Sequence, residues 1–170
     1  MRIVDGKVCV RDIYQSDAEA YFEIFSHPEV ARFDDFEPID RDELARDMVR
    51  IANYKPHSLN REYAVSTLPQ DCMIGVLTVD MRRKYCYLGY HFNPSFHGKG
   101  YALASVKLFL NSLPTEVRKI LRVVSDPDNI ASLKLAQKAG FKQTARRTKN
   151  GKREVVLSLD LSLVLDAEMC

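Results

Sequence analysis

The run Tyr85-Cys86-Tyr87-Leu88-Gly89-Tyr90-His91-Phe92-Asn93-Pro94-Ser95-Phe96-His97-Gly98-Lys99-Gly100-Tyr101-Ala102 passes from strand to turn to helix start. Its first half, YCYLGYHF over 85–92, is rich in the aromatic residues that favour strands. Asn93-Pro94 turns the chain. The segment His97 to Ala102 then places two glycines ahead of a helix that keeps Ala102, Val106, Phe109 and Leu113 on one side. Glycine at 98 and 100 reaches the positive φ values that turn amides inward, and it lets a ligand approach bare backbone. The helix start leaves N–H groups unpaired and adds a positive dipole end. Together these features make an anion site fit for a diphosphate. Lys99 either adds charge or points to solvent. The plain alternative is a tight strand-to-helix connection with no ligand. Two nucleotide motifs fail on detail. A Walker loop needs Ser or Thr after its Lys, whereas Gly100-Tyr101-Ala102 follows Lys99. A dinucleotide fingerprint needs a third small residue where Leu103 stands, and it belongs to a first strand.

Moving outward, Met73–Asp80 (MIGVLTVD) and Glu62–Thr67 are two further strands, separated by a Leu68-Pro69-Gln70-Asp71 turn. Met81 to Lys84 forms a hairpin tip. Toward the N terminus, Val8–Arg11 is the first strand. Ser16 with Glu19, and Asp40 with Glu43, have capping-box spacing at two helix starts. The first helix stops before Pro28, and 29–39 is a loop holding Phe33, Asp34, Asp35 and Phe36. The second helix carries Leu44, Met48 and Ile51 on one face. Toward the C terminus, Lys119–Val124 is a strand and Asn129–Ala139 a helix closed by Gly140. A hairpin over 141–163 turns at Asn150-Gly151. The order of strand, two helices, three strands, helix, strand, helix and two strands predicts one mixed α/β (α+β) sheet flanked by helices.

The 170 residues fit a single domain, with 25 basic and 23 acidic side chains and a net charge of +2. That balance gives no electrostatic case for nucleic acid, so no direct nucleic-acid contact is expected. Cys9, Cys72, Cys86 and Cys170 form no C-x-x-C pair, which argues against a zinc site; no metal is expected. Cys9, Cys72 and Cys86 lie in apolar strand-like runs and are read as buried free thiols. Residues 1–10 lack the apolar core of a signal peptide, and no stretch approaches a membrane span. A cytoplasmic location and no membrane partner are expected.

The run over 85–102 resembles the central strand and loop of the GNAT N-acetyltransferases, whose loop pattern is (Q/R)-x-x-G-x-(G/A). His97 stands where Gln or Arg is usual, while Gly100 and Ala102 match. Asn129-Ile130-Ala131-Ser132 and Leu135 to Phe141 are similar to that family's later helix and its closing Gly-Phe. Gly89-Tyr90, Asn93-Pro94, Asn129 with Ser132, and Arg11-Asp12 through Val30 look most like the RimJ/RimL type, which acetylates amino termini of ribosomal proteins. The resemblance runs from about Lys7 to Leu163. It implies a central strand splayed from its neighbour, with the pantetheine arm of acetyl-CoA on the backbone near Tyr90 and Phe92. The diphosphate would lie on the amides of His97, Gly98, Lys99, Gly100, Tyr101 and Ala102.

The reaction so implied is direct acyl transfer to a primary amine, which needs no enzyme nucleophile. It does need a neutral amine, a donor for the carbonyl oxygen and a proton for the leaving thiolate. Many relatives place a Tyr where Ala136 stands here. Ser132 is the expected substitute, although it is also a small polar residue suited to a first turn. Asn129 either bonds the pantetheine or caps the helix, and one amide can do both. The Glu frequent in this subgroup is replaced by Tyr87. His91, on the face opposite Tyr90 and Phe92, and Glu154 are the remaining base candidates, alongside a water chain. Phe33 to Phe36 would border the acceptor. The expected acceptor is a protein N-terminal α-amine. A polyamine, which would favour an acidic pocket, and an aminoglycoside stay open, as does a non-catalytic acyl-CoA sensor. A homodimer is compatible with the sequence.

Overall fold

The computed structural model describes residues 1–55, 58 and 60–160. Eight strands form one sheet in the order β1-β2-β3-β4-β5-β6-β8-β7. They are β1 (Arg2–Asp5), β2 (Val8–Asp12), β3 (Arg61–Thr67), β4 (Cys72–Arg82), β5 (Tyr85–Phe92), β6 (Leu121–Ser125), β7 (Phe141–Lys149) and β8 (Lys152–Leu159). The helices are α1 (Ala18–Phe25), α2 (Pro28–Ala31), α3 (Arg41–Ala52), α4 (Tyr101–Ser112), α5 (Thr115–Ile120) and α6 (Ile130–Lys138). All neighbouring strands are antiparallel except β5 and β6. The mixed sheet flanked by helices is the expected fold class.

The sheet alternation sends side chains to two cores. On one face Leu77, Val79, Cys86, Leu88 and Phe92 pack with Val106 and Phe109 of α4 and Ala136 of α6. On the other, Ala64, Met73 and Val76 pack with Tyr21, Ile24 and Phe25 of α1 and Leu44, Met48 and Ile51 of α3. The cap read at Asp40 forms in full: its carboxylate accepts from the Glu43 amide at 2.8 Å, and Glu43 returns the bond at 3.0 Å.

Several local expectations need correction. Residues 2–5 form a strand, turned into β2 through Gly6 at φ +53°. Ser16 does not cap α1. Asp17 takes the Tyr14 amide at 2.7 Å and a two-pronged bond from the buried Arg11 at 2.7 and 2.9 Å. The first helix does stop before Pro28, but 29–39 is not all loop: Pro28 opens a helical turn through Ala31, because proline suits a first helical position and His27 Nδ1 accepts the Glu29 amide. Residues 115–120 are helical, with a Glu116–Lys119 pair at 2.7 Å, so β6 begins at Leu121. Cys9 and Cys86 are buried, but Cys72 is exposed at the start of β4. The expected strand positions Leu161 and Leu163, and Cys170, lie outside the described residues.

Candidate active site

β5 and β6 keep register only at Cys86–Leu121 and Tyr87–Arg122, and then part. Along its other edge β5 stays paired to β4 from Tyr85 to Phe92. In such a pair alternate residues turn their N–H and C=O groups away from the partner. Past Tyr87 those groups face the gap. A cleft of about 370 Å³ opens here, reaching Asn129 and Ser132 on one side of the sheet and Asp34 and His91 on the other.

At one end of β5 lies the glycine loop. Gly98 and Gly100 adopt φ +74° and +79°, and a Cβ built on either meets nothing within 4 Å. Among the described residues, the six amides from Gly98 to Leu103 donate to no protein acceptor; the first bond of the helix runs from Ala104 to the Gly100 carbonyl. An open cradle of unpaired donors at a helix start suits a diphosphate. The His97 amide, expected in the cradle, instead donates to the Pro94 carbonyl at 3.0 Å; with its Nε2 3.2 Å from the Phe92 carbonyl, His97 anchors the loop. The Lys99 ammonium folds back to the Ser95 carbonyl at 3.2 Å and over the Phe96 ring. Its side chain therefore braces the preceding turn, and the loop's own contribution to the cradle is its amides.

Where the strands part, Tyr90 projects to the α6 side. Its hydroxyl donates to the Ser132 carbonyl at 2.9 Å, with Ser132 Oγ at 3.1 Å. Burial pushes the phenol up to about 12, with the Ser132 bond opposing the shift. It is therefore protonated at neutral pH and able to donate. Asn129 caps α6, its Oδ1 accepting the Ser132 amide at 3.1 Å, and it lines the cleft as well. Ala136 is fully buried in the core beneath, at 0% exposure. The sequence points to Ser132 but not to its pairing with Tyr90, which comes from a strand 42 residues earlier.

On the opposite face, Tyr87, Gly89 and His91 line the cleft with Phe33, Asp34 and Asp35. Phe36 instead packs edge-on against Phe25 and His91. His91 Nε2 lies 3.2 Å from Asp34 Oδ2, while Nδ1 is buried without a partner among the described residues. Glu154 accepts from Arg147 Nε at 2.6 Å. Lys152 pairs with Asp35 and donates to the Asp34 carbonyl, so the β7–β8 turn touches the loop after α2. Five carboxylates and five cations line the cleft. No group of three metal-ligating side chains occurs among the described residues.

Residues 7–142 match the sequence family described as an acetyltransferase (GNAT) domain. The chain belongs to the GNAT acetyltransferases. No curated protein matches it in sequence. Among solved structures, a GNAT-family acetyltransferase from Bacillus anthracis is 16% identical with a TM-score of 0.77, covering 92% of this chain and 95% of the other. The ribosomal-protein-S5-alanine acetyltransferase from Vibrio fischeri is 16% identical with a TM-score of 0.74, covering 92% and 94%. The spermidine N-acetyltransferase from Vibrio cholerae, solved with CoA and spermine, is 16% identical with a TM-score of 0.70, covering 90% and 94%. These likenesses establish a shared fold. Of the residues singled out in sequence, Tyr90, Asn129 and Ser132 line the cleft, whereas Phe92 is buried in the core and the loop from His97 to Ala102 follows the end of β5 without lining it. No helix among the described residues is long and apolar enough to cross a membrane.

Proposed function

We propose that this GNAT domain is a cytoplasmic, acetyl-CoA-dependent N-acetyltransferase of the RimJ/RimL type, acting on a protein N-terminal α-amine. The observation that carries the reading is the run of six unpaired amides over Gly98–Leu103, which follows the end of β5 that has parted from β6. Acetyl-CoA supplies an activated acyl group. The loop amides hold its diphosphate, and the free edge of β5 near Tyr90 and Phe92 holds the pantetheine. Net transfer forms a C–N bond, breaks the C–S bond and leaves one proton to pass from amine to thiolate. Ser132 Oγ and the Tyr90 hydroxyl, 3.1 Å apart, are the donors positioned at the parting of the strands for the thiolate. His91, held against Asp34 on the acceptor face, receives the amine proton directly or through water. Among acceptors, an N terminus suits the cleft better than a polyamine, because a polyamine calls for an acidic lining and this one is charge-balanced.

Thermal unfolding tests the cofactor. Acetyl-CoA at 100 times its Kd adds about 2.7 kcal/mol, which raises Tm by about 5–10 °C for a chain of this size. Gly100→Glu fills the cradle and should remove the shift while the protein stays folded. No shift at millimolar acetyl-CoA overturns the reading. Thiol release with peptides bearing free amino termini then tests the acceptor against spermidine and an aminoglycoside.

A further inference from the structure

The tip of the β7–β8 hairpin presents an unusual charge arrangement to the acceptor cleft. Lys149 and Lys152 stand directly opposite each other in the register, and Arg147 opposite Glu154. Like charges in opposed positions destabilise a strand pair. Lys152 is neutralised by Asp35, and Arg147 by Glu154. Lys149 pairs with no carboxylate among the described residues, yet it lines the same cleft as His91 and Asp34. The cleft thus has two poles. The inner pole, at the parting of the strands, offers the His91–Asp34 pair to an amine. The outer pole, at the hairpin turn, offers Lys149, without a carboxylate partner among the described residues, and Lys152, which Asp35 and the Asp34 carbonyl hold.

We propose that the preferred acceptor carries a carboxylate a short distance beyond its reacting amine, and that Lys149, with Lys152, receives it. This inference rests on the acetyltransferase reading above and narrows its acceptor to amines with a nearby anionic group. The amine must reach the gap between β5 and β6, whereas Lys149 sits at the hairpin's end. The carboxylate therefore lies further out than the amine. In a peptide that corresponds to an acidic side chain soon after the first residue; in a small molecule it is the carboxylate of an amino acid. A polycation would meet Lys149 with like charge.

The test is thiol release with full-length protein, acetyl-CoA and short peptides amidated at the C terminus. The peptides begin Ser-Glu-Glu, Ser-Gln-Gln or Ser-Lys-Lys, and free glutamate and spermidine complete the set. At low salt kcat/KM should be about tenfold higher for the acidic peptide than for the neutral one, the scale of two partly exposed ion pairs. Half-molar NaCl should shrink that ratio. Lys149→Glu should reverse the order of the acidic and basic peptides. Higher activity on free glutamate than on any peptide keeps the amine-plus-carboxylate chemistry and assigns it to a small molecule. Equal rates on acidic and neutral peptides, a preference for spermidine, or an unchanged ratio in Lys149→Glu overturns the inference and leaves acetyl transfer standing. No release with any amine overturns both.

Discussion

The Tyr90 hydroxyl bonds Ser132 while its ring packs against the core, so Tyr90→Phe keeps the ring in its packing and removes the donor. If that hydroxyl serves the leaving thiolate, kcat should fall by about 100-fold, while the acetyl-CoA concentration at half-maximal rate changes little. A parallel loss in both parameters would assign Tyr90 to coenzyme binding instead. Ser132→Ala should also lower turnover more than coenzyme affinity, and unchanged turnover would return Ser132 to a purely structural place in the first turn of α6. The same phenol has a consequence for stability. Its pKa is raised by burial from an ordinary value of about 10 to about 12. A group raised in the folded state contributes fully below its unfolded pKa and loses that contribution as pH climbs through the folded value. Between pH about 10 and about 12 the wild type should therefore lose more stability than Tyr90→Phe, measured by denaturant unfolding across that range.

At the scale of elements, two small devices fix how the helices meet the sheet. The reciprocal bonds of Asp40 and Glu43 define the start of α3, and Asp40→Ala should cost about 1 kcal/mol. Arg11 is a larger case. It is 2% exposed and bonds both oxygens of Asp17 and one of Asp71, tying β2 to the turn before α1 and to the β3–β4 turn. Arg11→Ala strands the buried Asp17 and should cost about 3–5 kcal/mol, read as a loss in equilibrium unfolding free energy. These two cases also mark what sequence can reveal. Asp40–Glu43 is local, with its spacing written into adjacent turns, and it is legible. Arg11–Asp71 spans 60 residues, and no local spacing announces it. β4 and β5 were legible because their aromatic and β-branched runs are long. β1 and α5 were missed because each is short: four residues around a Gly6 turn, and six behind Pro114. In the site, the positive-φ glycine turn and the helix start could be read from residues 97–102 alone. The meeting of Tyr90 with Ser132, and of Asp34 with His91, depends on where the sheet parts, and no local pattern encodes that.

For the molecule as a whole, the decisive feature is a sheet that is continuous except for one gap. The glycine cradle, α4 and α6 lie on one side of it, with Tyr90 and Ser132; α1, the loop after α2, and His91 lie on the other. On the proposed function, a coenzyme and an amine would approach from these opposite faces without competing for space, and each would reach the other through the sheet itself. No protein nucleophile is required between them, so neither has to leave before the other binds. The initial-rate pattern should then be a family of intersecting lines when both concentrations are varied, and a dead-end analogue of the acceptor should bind alongside coenzyme A. Parallel lines would mean that the acyl group rests on the protein between two visits. If the proposed function holds, the gap between β5 and β6 is, in kinetic terms, a window through which two bound reactants are exposed to each other at the same moment.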